Sequence, residues 1–172
     1  MSKLNYKKIL LKKNKEPITC LTAYSRPVAK ILDGLVDLIL IGDSVGTTIY
    51  GMKNTRSVNL EIIKNHGRSV VKNTKKSMTI VDMPYNTYRN KKEALKNALT
   101  ILKFTKANFI KIETDKKNVD IVKYLSKNKI KVVSHIGVMP QKFSDFSKIK
   151  SVGKNKTEIN SLINLALELE QC

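Results

Sequence analysis

Cysteine is scarce. The 172-residue chain has two, Cys20 and Cys172, far apart and in no C-x-x-C or related spacing. That excludes a thiolate metal site and a disulfide framework, and free thiols in a reducing compartment are the expectation. Long apolar runs are missing too. None approaches the roughly 20 residues that a bilayer span needs, so no membrane segment is expected. The N-terminal MSKLNYKKILLKKNKEP carries lysines but no apolar core and no small-residue cleavage site, which points to a cytoplasmic chain. Nucleotide signatures are also absent. No G-x-G-x-x-G and no G-x-x-x-x-G-K-[ST] follows an apolar run, which lowers the dinucleotide and P-loop classes.

Acidic residues are few: 14 against 33 lysines and arginines, for a formal net charge of +19. Arginine is scarce as well, with four residues beside 29 lysines. Arginine is the better reader of grooves and phosphates. The lysines are scattered, without interleaved aromatics, so no nucleic-acid partner is expected. Fifteen asparagines and 18 isoleucines accompany them, which fits an AT-rich genome filling solvated positions. The positive field would still attract anionic substrates.

What is present is a repeating order of short apolar runs and amphipathic segments. Strands are predicted at 17–23, 36–42, 77–83, 107–113 and 129–135. Helices are predicted at 26–32, 59–73, 91–105, 118–128 and 157–171, with Ser25 as a cap and Gly34 as a stop for the first. Residues 46–58 and the stretch from Gly137 to Gly153 read as loops, and residues 1–16 as a basic extension or helix. The strands are Ile/Val-rich and scarcely alternate. That marks an α/β fold with parallel strands covered by helices, either an open doubly wound sheet or a (β/α)8 barrel.

In such folds every strand's C-terminal end meets at one face, where ligands bind. Asp43, Asp82, Glu113 and His135 fall at or near the ends of strands two to five. Lys111 precedes Glu113 by two, which puts both on one side of their strand. Clustered carboxylates repel one another unless a cation or a proton intervenes. A hard-oxygen set of this kind suits Mg²⁺, which can chelate a 2-oxo acid and polarise its carbonyl, with Lys111 facing a carboxylate or an enolate. Ser44 sits centrally in Gly42-Asp-Ser-Val-Gly46. No His and acid follow it in usable places, so a hydrolase nucleophile elbow is set aside.

Several blocks occur together and in order: Leu21-Thr-Ala-Tyr24, Ile41-Gly-Asp-Ser-Val-Gly46, Asp82-Met-Pro84, Lys111-Ile-Glu113, His135-Ile-Gly-Val-Met-Pro-Gln141 and Leu165-Ala-Leu-Glu-Leu-Glu170. With them the chain resembles the ketopantoate (3-methyl-2-oxobutanoate) hydroxymethyltransferase family from about Pro17 onward. The resemblance implies a (β/α)8 TIM barrel, commonly an assembly of ten chains in the cytoplasm. It implies Mg²⁺ as cofactor, and transfer of a one-carbon unit from 5,10-methylenetetrahydrofolate to a 2-oxo acid, giving 2-dehydropantoate for pantothenate synthesis. It implies a metal site of Asp43, Asp82 and Glu113, with Asp43, Ser44, Asp82 and Lys111 against the substrate.

The chain departs from the family pattern at Ser25, where TAYD is usual, at Thr114-Asp115 in place of glycines, and at Ile149-Lys-Ser-Val-Gly153. The family's base is a glutamate on a sixth strand, beyond Cys172. No catalytic residue is therefore assigned within residues 1–172, which are read as one partial barrel of about five βα units, a fragment expected to be inactive alone. The alternatives are a Mg-dependent barrel lyase acting on phosphoenolpyruvate or a 2-oxo acid, and a non-catalytic basic binding module.

Overall fold

In the computed structural model, residues 4–172 are described. The first three residues of the expected 1–16 extension lie outside them. The elements run α1 (Tyr6–Leu11), β1 (Cys20–Thr22), α2 (Arg26–Leu32), β2 (Leu38–Ile41), α3 (Val45–Thr48), α4 (Leu60–Val71), β3 (Met78–Asp82), α5 (Lys91–Thr105), β4 (Phe109–Glu113), α6 (Val119–Lys127), β5 (Val132–His135) and α7 (Lys156–Glu170). Three 3₁₀ turns, at Thr55–Ser57, Pro140–Lys142 and Phe146–Lys148, interrupt the longer loops.

Asparagine starts most of these helices. The side chains of Asn5, Asn59, Asn90 and Asn155 accept the N–H three residues on, at the first turns of α1, α4, α5 and α7. Each such cap is worth about 1 kcal/mol. At α5 and α7 a glutamate completes the cap: Glu93 accepts the Arg89 N–H, and Glu158 accepts those of Gly153 and Lys154. The asparagine bias therefore has a structural use. Ser25 does stand at the start of α2, but its side chain makes no capping bond.

All five strands are parallel and lie in the order β1-β2-β3-β4-β5. This order separates the two expected architectures. A doubly wound sheet reverses its strand order at a switch point; this one never does. Helices α2, α4, α5 and α6 accordingly share one face. Ile39, Ile41, Val81, Ile110 and Ile112 pack there against Ala29 of α2, Ile63 and Val70 of α4, Ala98 and Ile101 of α5, and Leu125 of α6. Fully burying each large side chain contributes about 1.5–3 kcal/mol. The alternate residues Leu38, Leu40, Met78, Ile80, Phe109 and Val133 form a second cluster on the opposite face, closed by Ile9 of α1. Helices outside and side chains inside, with consecutive strands adjacent, make this an incomplete (β/α) barrel.

The 46–58 stretch is more ordered than its sequence suggests. It begins within α3 and contains the 3₁₀ turn at Thr55–Ser57. Four helical residues are too few to display a period. The first strand is shorter than expected, Cys20–Thr22, and its residues are exposed. Along β5 an apolar groove of about 820 Å³ opens, lined among others by Phe109, Val132, Ile163, Leu167 and Leu169. Among the described residues no helix is long and apolar enough to cross a membrane.

Candidate active site

The two-residue period of the strands decides where the charged groups point. Asp82 shares the inner side of β3 with Met78 and Ile80, and Lys111 and Glu113 share the inner side of β4 with Phe109. His135 follows Val133 on β5 in the same way. Apolar layers thus fill the lower interior, and the ionisable groups crown it at the strands' C-terminal ends. Asp43 lies two residues past the end of β2, not on its last residue. Gly42 leaves room beside it: a Cβ there would stand 2.8 Å from Ser44 Oγ and 3.5 Å from Asp82 Oδ2.

Asp43, Asp82 and Glu113 are all buried and joined by hydrogen bonds. The Asp43 N–H donates to Asp82 Oδ2 at 3.1 Å. Lys111, register partner of Asp82, donates its ammonium to Asp82 Oδ1 at 2.7 Å. Gln141, from the 3₁₀ turn after β5, spans the other two acids. Its main-chain N–H donates to both oxygens of Glu113 at 3.2 Å, and its Nε2 donates to Asp43 Oδ2 at 2.7 Å and to the Met83 carbonyl at 3.0 Å. The Tyr88 hydroxyl donates to Gln141 Oε1. Ser44 Oγ shares a hydrogen bond of 2.7 Å with the Tyr24 hydroxyl. His66 Nδ1 donates to the Tyr24 carbonyl at 2.6 Å, and its Nε2 lies 3.0 Å from the Tyr50 hydroxyl. His135 Nδ1 stands 3.9 Å from Glu113 Oε1, beyond hydrogen-bond reach, and is a buried atom with no hydrogen-bond partner among the described residues.

Burial dominates the electrostatics. It raises Asp43 from 3.8 to about 6, helped by the Asp82 charge and opposed by the Gln141 amide and Lys111. It raises Glu113 from 4.5 to about 7, with the Gln141 N–H opposing and the Asp43 charge assisting. Burial, then Glu113, pushes the Tyr88 phenol well above its ordinary value. Burial, then Lys111, lowers the His135 imidazole, which favours the neutral ring. The site therefore stores unfavourable negative charge that a cation or protons would relieve.

Of the expected residues, the structure brings Asp43, Ser44, Asp82, Lys111 and Glu113 to one mouth. Among the described residues no group of three or more His, Cys, Asp and Glu side chains is arranged to hold a metal ion as it stands. Mg²⁺ commonly takes only one or two carboxylates and completes its shell with water and substrate. Asp43 and Asp82, hard-oxygen donors linked through a backbone N–H, fit that requirement, and three carboxylates against one ammonium leave an excess charge of the right sign. Beside Glu113 a cavity of about 180 Å³ opens between Tyr85, Tyr88, Arg89 and Lys142.

Gln141, Tyr88 and Tyr24 carry no role in the sequence reading. Gln141 falls in an aperiodic loop and Tyr88 between strand and helix, where neither polarity nor period distinguishes them. The only signal was their company: Gln141 closes the His135–Gln141 block, and Tyr24 the Leu21–Tyr24 block.

Residues 3–172 match the family described as ketopantoate hydroxymethyltransferase. The chain is 48% identical over 146 residues to 3-methyl-2-oxobutanoate hydroxymethyltransferase of Pelagibacter ubique, covering 84% of this chain and 57% of that protein. It is 44% identical over 151 residues to the enzyme of the same name from Anaplasma marginale, covering 88% and 54%. The chain thus spans little more than half the length of these curated relatives. Among solved structures, phosphonopyruvate hydrolase in complex with oxalate and Mg²⁺ superposes with a TM-score of 0.58 at 12% identity, over 71% of this chain and 48% of that one. At that identity the match bears on the fold alone.

Proposed function

Because the chain belongs to the ketopantoate hydroxymethyltransferase family, we propose that its strand-end cluster is the Mg²⁺ and 2-oxo acid half-site of a hydroxymethyl transfer. The acceptor is 3-methyl-2-oxobutanoate, the one-carbon donor 5,10-methylenetetrahydrofolate and the product 2-dehydropantoate. The observation that carries the reading is the convergence of Asp43, Asp82 and Glu113 with Lys111 on the inner face of the strand ends.

In this reading Asp43, Asp82 and Glu113 would hold the cation. When bound, the cation polarises the 2-oxo carbonyl and makes the adjacent C3 proton more acidic. Lys111 pairs directly with Asp82 and offers its remaining N–H donors to the substrate carboxylate and the developing enolate oxygen. Ser44, oriented by Tyr24, donates to the same carboxylate. Asp43, Asp82 and Glu113 are buried, which strengthens each of their contacts. We assign no proton acceptor among the 172 residues, and propose that they bind the acceptor acid without turning it over.

The test is calorimetric titration of MgCl₂ and then 3-methyl-2-oxobutanoate into the chain and its Asp43→Ala and Asp82→Ala variants. Loss of at least tenfold in Mg²⁺ affinity in both variants supports the reading. Unchanged affinity in both overturns it.

A further inference from the structure

Gln141 makes more bonds to the acidic cluster than any residue within it. Its two side-chain amide hydrogens go to Asp43 Oδ2 and to the Met83 carbonyl, its amide oxygen takes the Tyr88 hydroxyl, and its main-chain N–H lies between the two oxygens of Glu113. The orientation of the amide is not a free choice. A main-chain carbonyl only accepts, so the nitrogen must face Met83, and the oxygen is left to Tyr88. Pro140, at the first position of the 3₁₀ turn, holds the backbone so that the Gln141 N–H points back at β4. The residue is buried, with 3% of its surface exposed, so this geometry does not compete with water.

The chemistry of the group matters as much as its place. Lysine at this point would neutralise a carboxylate. The neutral side-chain amide instead fixes Asp43, and the main-chain N–H fixes Glu113, while both carboxylates keep their charge available. The amide also claims Asp43 Oδ2 and so sets the direction in which the other oxygen faces. Glu113, gripped symmetrically by one N–H, is held in orientation without being drawn into an ion pair.

We infer that Gln141 is a positioning residue for a divalent cation: it sets the aim of Asp43 and Glu113, and Tyr88 locks it in place. The inference rests on the proposed Mg²⁺ half-site. Partners of this kind, one step removed from an ion, typically change its affinity 10- to 100-fold when removed.

Two variants test it, Gln141→Ala and Tyr88→Phe, in the 172-residue chain titrated with MgCl₂ by calorimetry, with far-UV circular dichroism on the same samples. Gln141→Ala is expected to weaken Mg²⁺ binding 10- to 100-fold at unchanged stoichiometry, and Tyr88→Phe at least threefold. A purely structural Gln141 behaves differently: the stoichiometry falls with the folded fraction, while the affinity of the folded molecules stays the same. That result, or an affinity within twofold of the unmodified chain, overturns the inference. Should Gln141→Ala not fold, Tyr88→Phe decides by the threefold criterion. If Asp43→Ala abolishes binding and both of these variants retain it, the positioning role fails alone. If the unmodified chain binds no Mg²⁺, the half-site reading fails and this one with it.

Discussion

Replacing Asp43 by asparagine should stabilise the cation-free chain at pH 8 while removing its affinity for Mg²⁺. The folded-state carboxyl titrates at about 6 in place of 3.8, chiefly through burial and then through the Asp82 charge. A folded-state value raised in this way favours the protonated form. The associated stability is therefore present below pH 4 and lost as pH rises through 6. At 1.36 kcal/mol per pH unit, the ionised group costs the folded state on the order of 2–3 kcal/mol at pH 8. Asparagine keeps the shape and carries no charge. Its amide oxygen can accept the Gln141 Nε2–H, and its nitrogen can donate to the buried Thr55 hydroxyl beside it. Urea unfolding followed by far-UV circular dichroism suits a chain that has no tryptophan. Asp43→Asn should gain on the order of 2–3 kcal/mol at pH 8 and close to nothing at pH 4. The difference cancels the background of the +19 charge. Mg²⁺ at 100 times its Kd should stabilise the unmodified chain by about 2.7 kcal/mol and leave the variant unmoved. An Asp43→Asn chain less stable than the original at pH 8, or a difference that does not vary with pH, would refute the argument that buried charge is stored here.

Two further outcomes follow from other contacts. Lys111→Met leaves Asp82, 2% exposed, without its ammonium, and should cost about 3 kcal/mol in urea unfolding at pH 8. Asp33→Ala removes a carboxylate that accepts the N–H groups of Lys75, Lys76 and Ser77 at 2.9, 2.7 and 2.9 Å, tying the end of α2 to the start of β3. It should cost about 2 kcal/mol by the same assay. Burial pushes Asp33 upward, but those N–H donors prevail and hold it below its ordinary value, so the loss should begin to shrink as pH falls below about 4 and vanish only below the lowered folded-state value.

Much of the architecture can be read from pattern because parallel strands covered by helices need nearly continuous apolar runs. Leu38–Ile41 is such a run, and β2 is found there. Asn90 and Glu93 announce the start of α5 three residues apart, and the structure uses both. The candidate acids could also be found, since each falls at the end of a run and parallel strands bring those ends together. Short α3 escaped notice because Val45–Thr48 makes a single turn, stabilised by packing and not by any local period.

The sequence by itself determined the alternation of strand and helix, the family and the roster of chemical groups: Asp43, Ser44, Asp82, Lys111, Glu113. Those depend on local polarity and on a two-residue period, which a string of letters displays. Tertiary structure alone decided between barrel and doubly wound sheet, because strand order is a long-range property. It alone decided which oxygen meets which donor. Lys111 serves Asp82 across the β3–β4 register and not its own neighbour Glu113. Gln141 reaches Asp43 from 98 residues away, a distance over which sequence carries no geometric information until the chain has closed on itself.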